Sequence, residues 1–278
     1  MNTDISPALY DMHNHTSHSH DAHSDMRALC EEAIAKGLAG LAITEHCDIE
    51  FCKQKDELSP ILTSFDEADI LAGAFRGRLE LLCGVEIGEG IWYPDDTATV
   101  IASRPFDAVL CSVHAVRYKN LDSPYSLIDF SKVSRSDILG FWCTYFEDLA
   151  EAAETQDYDI LTHLSCPLRY LNGRYGARLS LDTHAPRIDN ILKTVIRRGK
   201  SLEVNTSCLG TGYDALMPDT AVLTRYYALG GRAVTLGSDS HDVPNVGKGL
   251  ETARNTLKAI GFEEAYFYRR RKPHAYRL

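Results

Sequence analysis

Apolar residues fall along this chain in short runs, each followed by a polar loop and then an amphipathic stretch, and the cycle repeats about seven times. Leu38–Thr44, Leu79–Val85, Phe106–Val113, Tyr158–Thr162, Ser201–Val204 and Arg232–Leu236 read as buried strands, and Ala8-Leu9-Tyr10 as a shorter one. Between them the apolar period is helical. Met26–Lys36 sets Leu29, Ala33 and Ile34 on one face, with Ser24 or Asp25 to cap it and Gly37 to stop it. After a loop, a helical segment runs from about Pro60 to Gly77, and a short one spans Asp96–Ser103. Ser136–Thr155 is long, Pro186 starts a helix that ends near Gly199, Pro218 starts one that ends at Gly230-Gly231, and Gly249–Ile260 is the last. Arg117–Arg135 and Leu164–His184 are extended polar loops, the first a candidate lid. Strand and helix in strict succession imply a parallel sheet, closed as a barrel or left open. No repeat and no linker divides residues 1–278, which read as a single domain.

Composition narrows this picture. A length of 278 residues suits one α/β barrel, which commonly takes ~250. The net charge of −10 argues against broad binding to nucleic acid or an anionic membrane. Against that balance the basic run Arg269-Arg270-Arg271-Lys272 in an aromatic tail reads as a solvated element end. No apolar stretch approaches the ~18–20 residues of a membrane helix, and no basic segment leads into an apolar one at the N-terminus, so a cytoplasmic protein is expected. The cysteines (30, 47, 52, 83, 111, 143, 166 and 208) form no C-x-x-C pair, and several lie inside apolar runs, as buried free thiols do in a reducing cytosol. Cys47 and Cys52 do not make a zinc site.

Histidine changes the picture most. Five of the eleven fall within Asp11–His23, beside two aspartates. A purification tag or a low-complexity tract is the bland reading. The interruptions and the apolar lead-in argue against it. At strand spacing His13 and His15 point to the same side and can reach one ion together. Metal-binding residues recur where the predicted strands end: His46, Glu86, His114, His163, Asp239 and His241. Any one has a dull explanation, a satisfied core histidine or a turn aspartate. In a parallel barrel the C-terminal ends of all strands lie on one face, where active sites sit, so together they converge. So many ligands exceed the four that zinc usually takes, which implies more than one ion, and Glu86 is placed to bridge two. Adjacent divalent ions acidify a shared water and clamp an oxyanion, chemistry that serves phosphate esters, amides or esters.

These motifs resemble the PHP (polymerase and histidinol phosphatase) metallophosphoesterases, in particular the histidinol-phosphate phosphatase branch. The resemblance spans nearly the whole chain. It rests on His13-Asn14-His15-Thr16 with Ser19-x-Asp21, Ile43-Thr44-Glu45-His46, Gly84-Val85-Glu86, Ser112-Val113-His114, Thr162-His163, Glu203-Val204-Asn205-Thr206-Ser207 and Gly237-Ser238-Asp239-Ser240-His241. It implies a distorted TIM-like (β/α)7 barrel holding three divalent ions (Zn, Fe or Mn, in mixtures) at the C-terminal ends of the strands. By motif, His13, His15, Glu86 and Asp239 hold the first ion, Glu86, His114 and His163 the second, and Asp21, His46 and His241 the third. The same spacing selects Asp21 over His20, and leaves His18 and His23 as neighbours. A metal-bridging hydroxide would attack a small phosphate monoester such as L-histidinol phosphate, with Glu86, Asp239 and Arg169 as the catalytic set.

Arg169, soon after His163, matches a phosphate-binding arginine of that branch, and bidentate guanidinium suits a phosphate dianion. Arg117 is a further phosphate candidate, ahead of Arg174 and Arg178. His184 reads as a loop residue before a helix. One departure weakens histidinol phosphate as the specific target: the branch commonly reads Asn-Thr-Ser-Gly-Leu-Arg, and here Gly210 stands where that arginine would be. Nucleotides or oligonucleotide ends are the alternative substrates, disfavoured by the acidic balance and by the lack of a companion polymerase domain. A barrel amidohydrolase often bridges its metals with a carboxylated lysine, and no lysine occupies a mid-chain strand end here. A protein that only sequesters metal would have no use for Arg169.

Overall fold

The computed structural model describes residues 9–50 and 58–278. Seven strands, β1 (Tyr10–Asp11), β2 (Gly40–Asp48), β3 (Glu80–Gly88), β4 (Ala108–Ser112), β5 (Ile160–Leu161), β6 (Ser201–Asn205) and β7 (Val234–Gly237), lie side by side in chain order, all parallel. Parallel neighbours need a crossover. It is supplied by α1 (Met26–Ala35), α2 (Leu58–Phe75), α3 (Pro94–Ser103), α4 (Arg135–Thr155), α5 (Pro167–Leu171), α6 (Ala185–Arg197) and α7 (Thr220–Ala228), with α8 (Leu250–Ile260) following β7. The sheet curls onto itself as a distorted barrel. Met12 N donates to Leu236 O (2.8 Å), Asp239 N to His13 O (2.9 Å) and His15 N to Ser240 O (2.8 Å), which joins the first segment to the last strand.

The helices start where their chemistry allows. Asp25 caps α1 by accepting from Ala28 N at 3.2 Å, and Ser134 caps α4 by accepting from Asp137 N at 3.1 Å. Strand alternation then divides the barrel. Residues that pair across β2, β3 and β4 put Ala42, Leu82, Ala108 and Leu110 inside at the lower end, packed with Met12 and Ile160. Two and four residues further along, the same interior rows carry His46, Glu86 and Ser112, and His46 lies directly beside Glu86 in register. Leu41, Ile43, Val85 and Val109 face the other way into the larger core shared with the helices.

Several expected boundaries change. His46 and Glu86 are not strand ends; β2 and β3 continue past them to Asp48 and Gly88. Leu164–His184 is not a plain loop, because Pro167 starts α5 within it. Arg117–Arg135 is pinned by bridges Ala115↔Pro124 and Tyr118↔Leu121 and by a 3-10 turn at Phe130–Lys132. Cys52 and the expected loop across 51–57 lie outside the described residues; Cys47 is buried.

The tail is the largest difference. It forms an antiparallel hairpin, β8 (Glu264–Arg269) and β9 (Lys272–Arg277), joined by Arg270 and Arg271, both at positive φ. Such a turn ordinarily takes Asn or Gly. Here the turn is tied down instead: Arg270 N donates to Asp107 Oδ1 (2.9 Å), and the Arg271 guanidinium holds Asp157 (2.8 Å) and Asp159 (2.9 Å). Phe267 stacks on Tyr10 at 4.0 Å, and with Tyr268 it plugs the lower mouth of the barrel. Within the basic run, Arg269 pairs with Glu80 and Arg271 with Asp157 and Asp159, while Arg270 and Lys272 are exposed. Among the described residues, no helix is long and apolar enough to cross a membrane.

Candidate metal centre

Glu86 is the hub at the upper mouth. Its side chain is wholly buried, and five imidazoles surround it. Oε2 lies 3.3 Å from His13 Nε2, 3.6 Å from His15 Nε2 and 2.8 Å from His46 Nδ1. Oε1 lies 3.3 Å from His114 Nε2 and 3.0 Å from His163 Nε2, and accepts from Ser112 Oγ at 2.5 Å. Asp239, at positive φ just past β7, brings Oδ1 to 3.8 Å from His13 and 3.5 Å from His15. Asp21 approaches His241 Nε2 at 3.3 Å and His46 Nε2 at 3.6 Å. Every residue expected to bind metal is therefore brought to one face.

Within this constellation three sets hold ligand atoms within 4.8 Å of one another: His13, His15 and Glu86; His46, Glu86 and His114; and His15, His46 and His241. The first reproduces three of the four residues expected to share an ion. The others give His46 a double role, since its Nδ1 faces Glu86 while its Nε2 faces Asp21 and His241. Burial grades the sets. Glu86, His13 and His15 are inaccessible, whereas the Asp21 and His241 side chains are 44% and 28% exposed.

The charge balance explains what such a site wants. Burial alone would raise the Glu86 carboxyl, but the facing His13, His114 and His46 hold it well below the carboxylate range. Asp239 is likewise held low, burial being overcome by His13, His15 and His241. Burial opposes charge on His46, yet Glu86 pushes it up to about 9. His15 goes the other way, kept neutral by burial and by the imidazoles of His46 and His241. Despite their proximity, the buried atoms His13 Nε2, His15 Nε2, His46 Nδ1 and Glu86 Oε2 make no hydrogen bond. Buried polar atoms are rarely left this way. Imidazole nitrogens and carboxylate oxygens that converge without bonding one another fit divalent cations of the Zn, Mn or Fe kind.

Beside the cluster opens a cavity of about 270 Å³, lined by His46, His114, His163, Asp239 and His241 and also by Tyr125, Leu127, Cys166 and Tyr170. Arg169 lines it too. Its guanidinium donates to Ser207 Oγ, its Nε approaches Cys208 Sγ at 3.2 Å, and it lies 3.8 Å from Asp239. Arg117 is not in the site, contrary to expectation. Its guanidinium carbon lies over the Trp92 ring at 4.1 Å, and it pairs with Glu50 at 2.9 Å, half exposed. Arg174 and Arg178 are exposed and do not line the cavity. His18 pairs with Glu67 and His184 packs on Phe146, as bystanders. His20 lines the cavity with its ring 5.5 Å from that of His46, and neither it nor Asp21 joins any of the three sets. Gly210 is exposed and brings no charge.

Sequence reasoning assigned no role to the supporting acids, Glu203 entering only as part of a motif. Glu203 meets His13 Nδ1 at 2.6 Å, Asp48 meets His114 Nδ1 at 2.8 Å, and Glu89 accepts from the backbone N–H groups of His114 and Ala115 at 2.5 and 2.8 Å. An acid on an inward strand position next to a histidine strand was the available signal.

A family model described as PHP domain matches residues 11–207. A probable histidinol-phosphatase of Clostridium acetobutylicum is 26% identical, over 96% of this chain and 100% of its own length. One from Thermotoga maritima is also 26% identical, over 92% and 94%. Among solved structures, the histidinol phosphate phosphatase of Lactococcus lactis complexed with zinc, L-histidinol and phosphate superposes with a TM-score of 0.76 at 23% identity, covering 96% of this chain and 98% of that one.

Proposed function

The chain belongs to the PHP domain family, and from that premise we propose that it is a metal-dependent phosphatase of small phosphate monoesters, with L-histidinol phosphate the favoured substrate. The observation that carries this is the buried Glu86 carboxylate, with imidazoles on both of its oxygens and a cavity beside it that contains Arg169. The full-length relatives named histidinol-phosphatases support the substrate.

His13, His15, Glu86 and Asp239 would hold one ion, Glu86, His114 and His163 a second, and Asp21, His46 and His241 a third, as Zn, Fe or Mn. When bound, such ions acidify water and neutralise charge on the phosphoryl oxygens. The protein does the rest. Arg169 offers a planar pair of N–H donors to the phosphate, and Ser207 and Asp239 hold the guanidinium facing the cavity. Tyr125, Leu127 and Tyr170 make a largely apolar wall against which the alcohol portion packs and which keeps bulk water from it. The free buried thiols suit a reducing compartment, and the cytoplasm is the proposed location.

The test is phosphate release from a panel holding L-histidinol phosphate, other small monoesters, nucleoside monophosphates and 5′-phosphorylated oligonucleotides, with metal content verified. We expect metal-dependent release, fastest from histidinol phosphate. Release confined to nucleotides would overturn the substrate, and none from any member would overturn the activity.

A further inference from the structure

Two buried carboxylates outside the ligand set each grip a histidine from behind. Glu203, on β6 and 1% exposed, meets His13 Nδ1 at 2.6 Å through Oε1. Its Oε2 accepts from His163 N at 2.7 Å and from Asn205 Nδ2 at 3.2 Å. Asp48, at the end of β2 and 5% exposed, meets His114 Nδ1 at 2.8 Å. A carboxylate only accepts, so both imidazoles carry their proton on Nδ1. That leaves Nε2 as the lone-pair nitrogen, and in both rings Nε2 is the atom that faces Glu86, at 3.3 Å. The backbone is shaped around these grips. A Cβ on Gly88 would collide with Asp48 Oδ1, and one on Gly237 would collide with Glu203 Oε1 and approach His13 Cβ at 2.7 Å.

Resting on the metal-centre reading above, we propose that Glu203 and Asp48 are positioning residues that fix the tautomer and ring orientation of His13 and His114, and so set the occupancy of two different ion positions. The two grips lie on opposite sides of Glu86. His13 is on its Oε2 side with His15, and His114 on its Oε1 side with His163. Glu203 therefore governs the ion that His13 shares with His15 and Asp239, and Asp48 the ion at His114 and His163. Three donors converge on Glu203, which is why an acceptor-only group is needed. An amide there either turns its NH2 towards the His163 N–H, or donates to His13 Nδ1 and drives the proton onto Nε2, the nitrogen the ion needs.

The experiment compares the full-length Glu203→Gln, Asp48→Asn and Asp159→Asn variants with wild type. Asp159 is an equally buried acid, bonded to Val109 N at 2.9 Å at the far end of the barrel, and controls for general destabilisation. Zn²⁺ affinity is measured by chelator competition, stoichiometry by elemental analysis, and the ligand set by the visible bands of the Co²⁺-loaded proteins. Circular dichroism verifies folding. We expect Glu203→Gln and Asp48→Asn each to weaken one Zn²⁺ site about 10–100-fold and to remove different Co²⁺ bands, with Asp159→Asn like wild type. Wild-type affinity in both site variants, or equal loss in all three, overturns the positioning role. A wild type that takes up no ion at all would sink the metal-centre reading itself.

Discussion

At the scale of single residues, the site turns on which charges face the cavity and which do not. Arg169 and Arg117 both follow histidine-terminated strands in the sequence, and Arg169 alone of the two matches a phosphate-binding position of the family. The structure separates them, because Arg169 lines the cavity and Arg117 stacks on Trp92. Arg169→Ala should therefore lower kcat/KM about 10–100-fold, the worth of a hydrogen bond to a charged group, while the bound metal stays at wild-type stoichiometry. Lysine should restore only part of this, having no planar fork. Arg117→Ala should leave the rate unchanged, since an exposed pair contributes little; steady-state kinetics with metal analysis checks all three. The Asp21 and His20 side chains both line the cavity and differ in what they approach. Asp21→Ala should lose one ion by elemental analysis and His20→Ala none, because the Asp21 carboxylate sits within 3.6 Å of both His46 and His241. The ligands were legible because each carries metal chemistry in its own side chain. The roles of Glu203 and Asp48 were not, because an acid within an apolar strand looks the same whether it orients a ligand or merely satisfies a backbone donor.

At the scale of elements, the repeating strand and helix pattern made the barrel legible, and period two inside β2 and β3 explains why His46 and Glu86 emerge on the same interior face. Their strands run further than expected because Cys47, Asp48, Ile87 and Gly88 still pair across the sheet. The closing hairpin was hidden by its own turn, where Arg270 and Arg271 stand at positive φ without the Asn or Gly that signals such a loop. Contacts with Asp107, Asp157 and Asp159 hold that turn, and those are distant in sequence. The hairpin plugs the barrel on the side opposite the ligands, so its contribution is to stability. Phe267→Ala removes the ring stacked on Tyr10 and should cost about 3–5 kcal/mol in denaturant unfolding. Below its melting temperature the variant should keep wild-type kcat. A lost kcat with unchanged stability would contradict this division of labour.

For the whole molecule, the site links folding to pH and to metal. In the chelated protein His13, His46, His114 and His241 are raised by their carboxylate neighbours against the opposing effect of burial. Raised imidazoles stabilise the fold below their ordinary value of 6.5, and that stabilisation is lost as pH rises, through about 9 for His46. The lowered Glu86 and Asp239 stabilise above the ordinary carboxylate range and are lost as pH falls. His15, held low by burial and neighbouring imidazoles, works against the fold below 6.5, one group against four. The metal-stripped protein should thus melt progressively earlier as pH rises from about 6.5 to 9. The loaded protein should not, because ions take the place of the protons and bind more tightly as pH rises. Melting curves with and without chelator should diverge across that window; parallel curves would contradict the linkage.

The central claim is that several ions around Glu86 carry out phosphate ester hydrolysis. Its most direct test is to titrate the stripped protein with Zn²⁺ while following phosphate release from L-histidinol phosphate. The account predicts no release before metal is added and a rate that rises until more than one equivalent is bound. Release that survives stripping, or that is complete at a single equivalent, would contradict it.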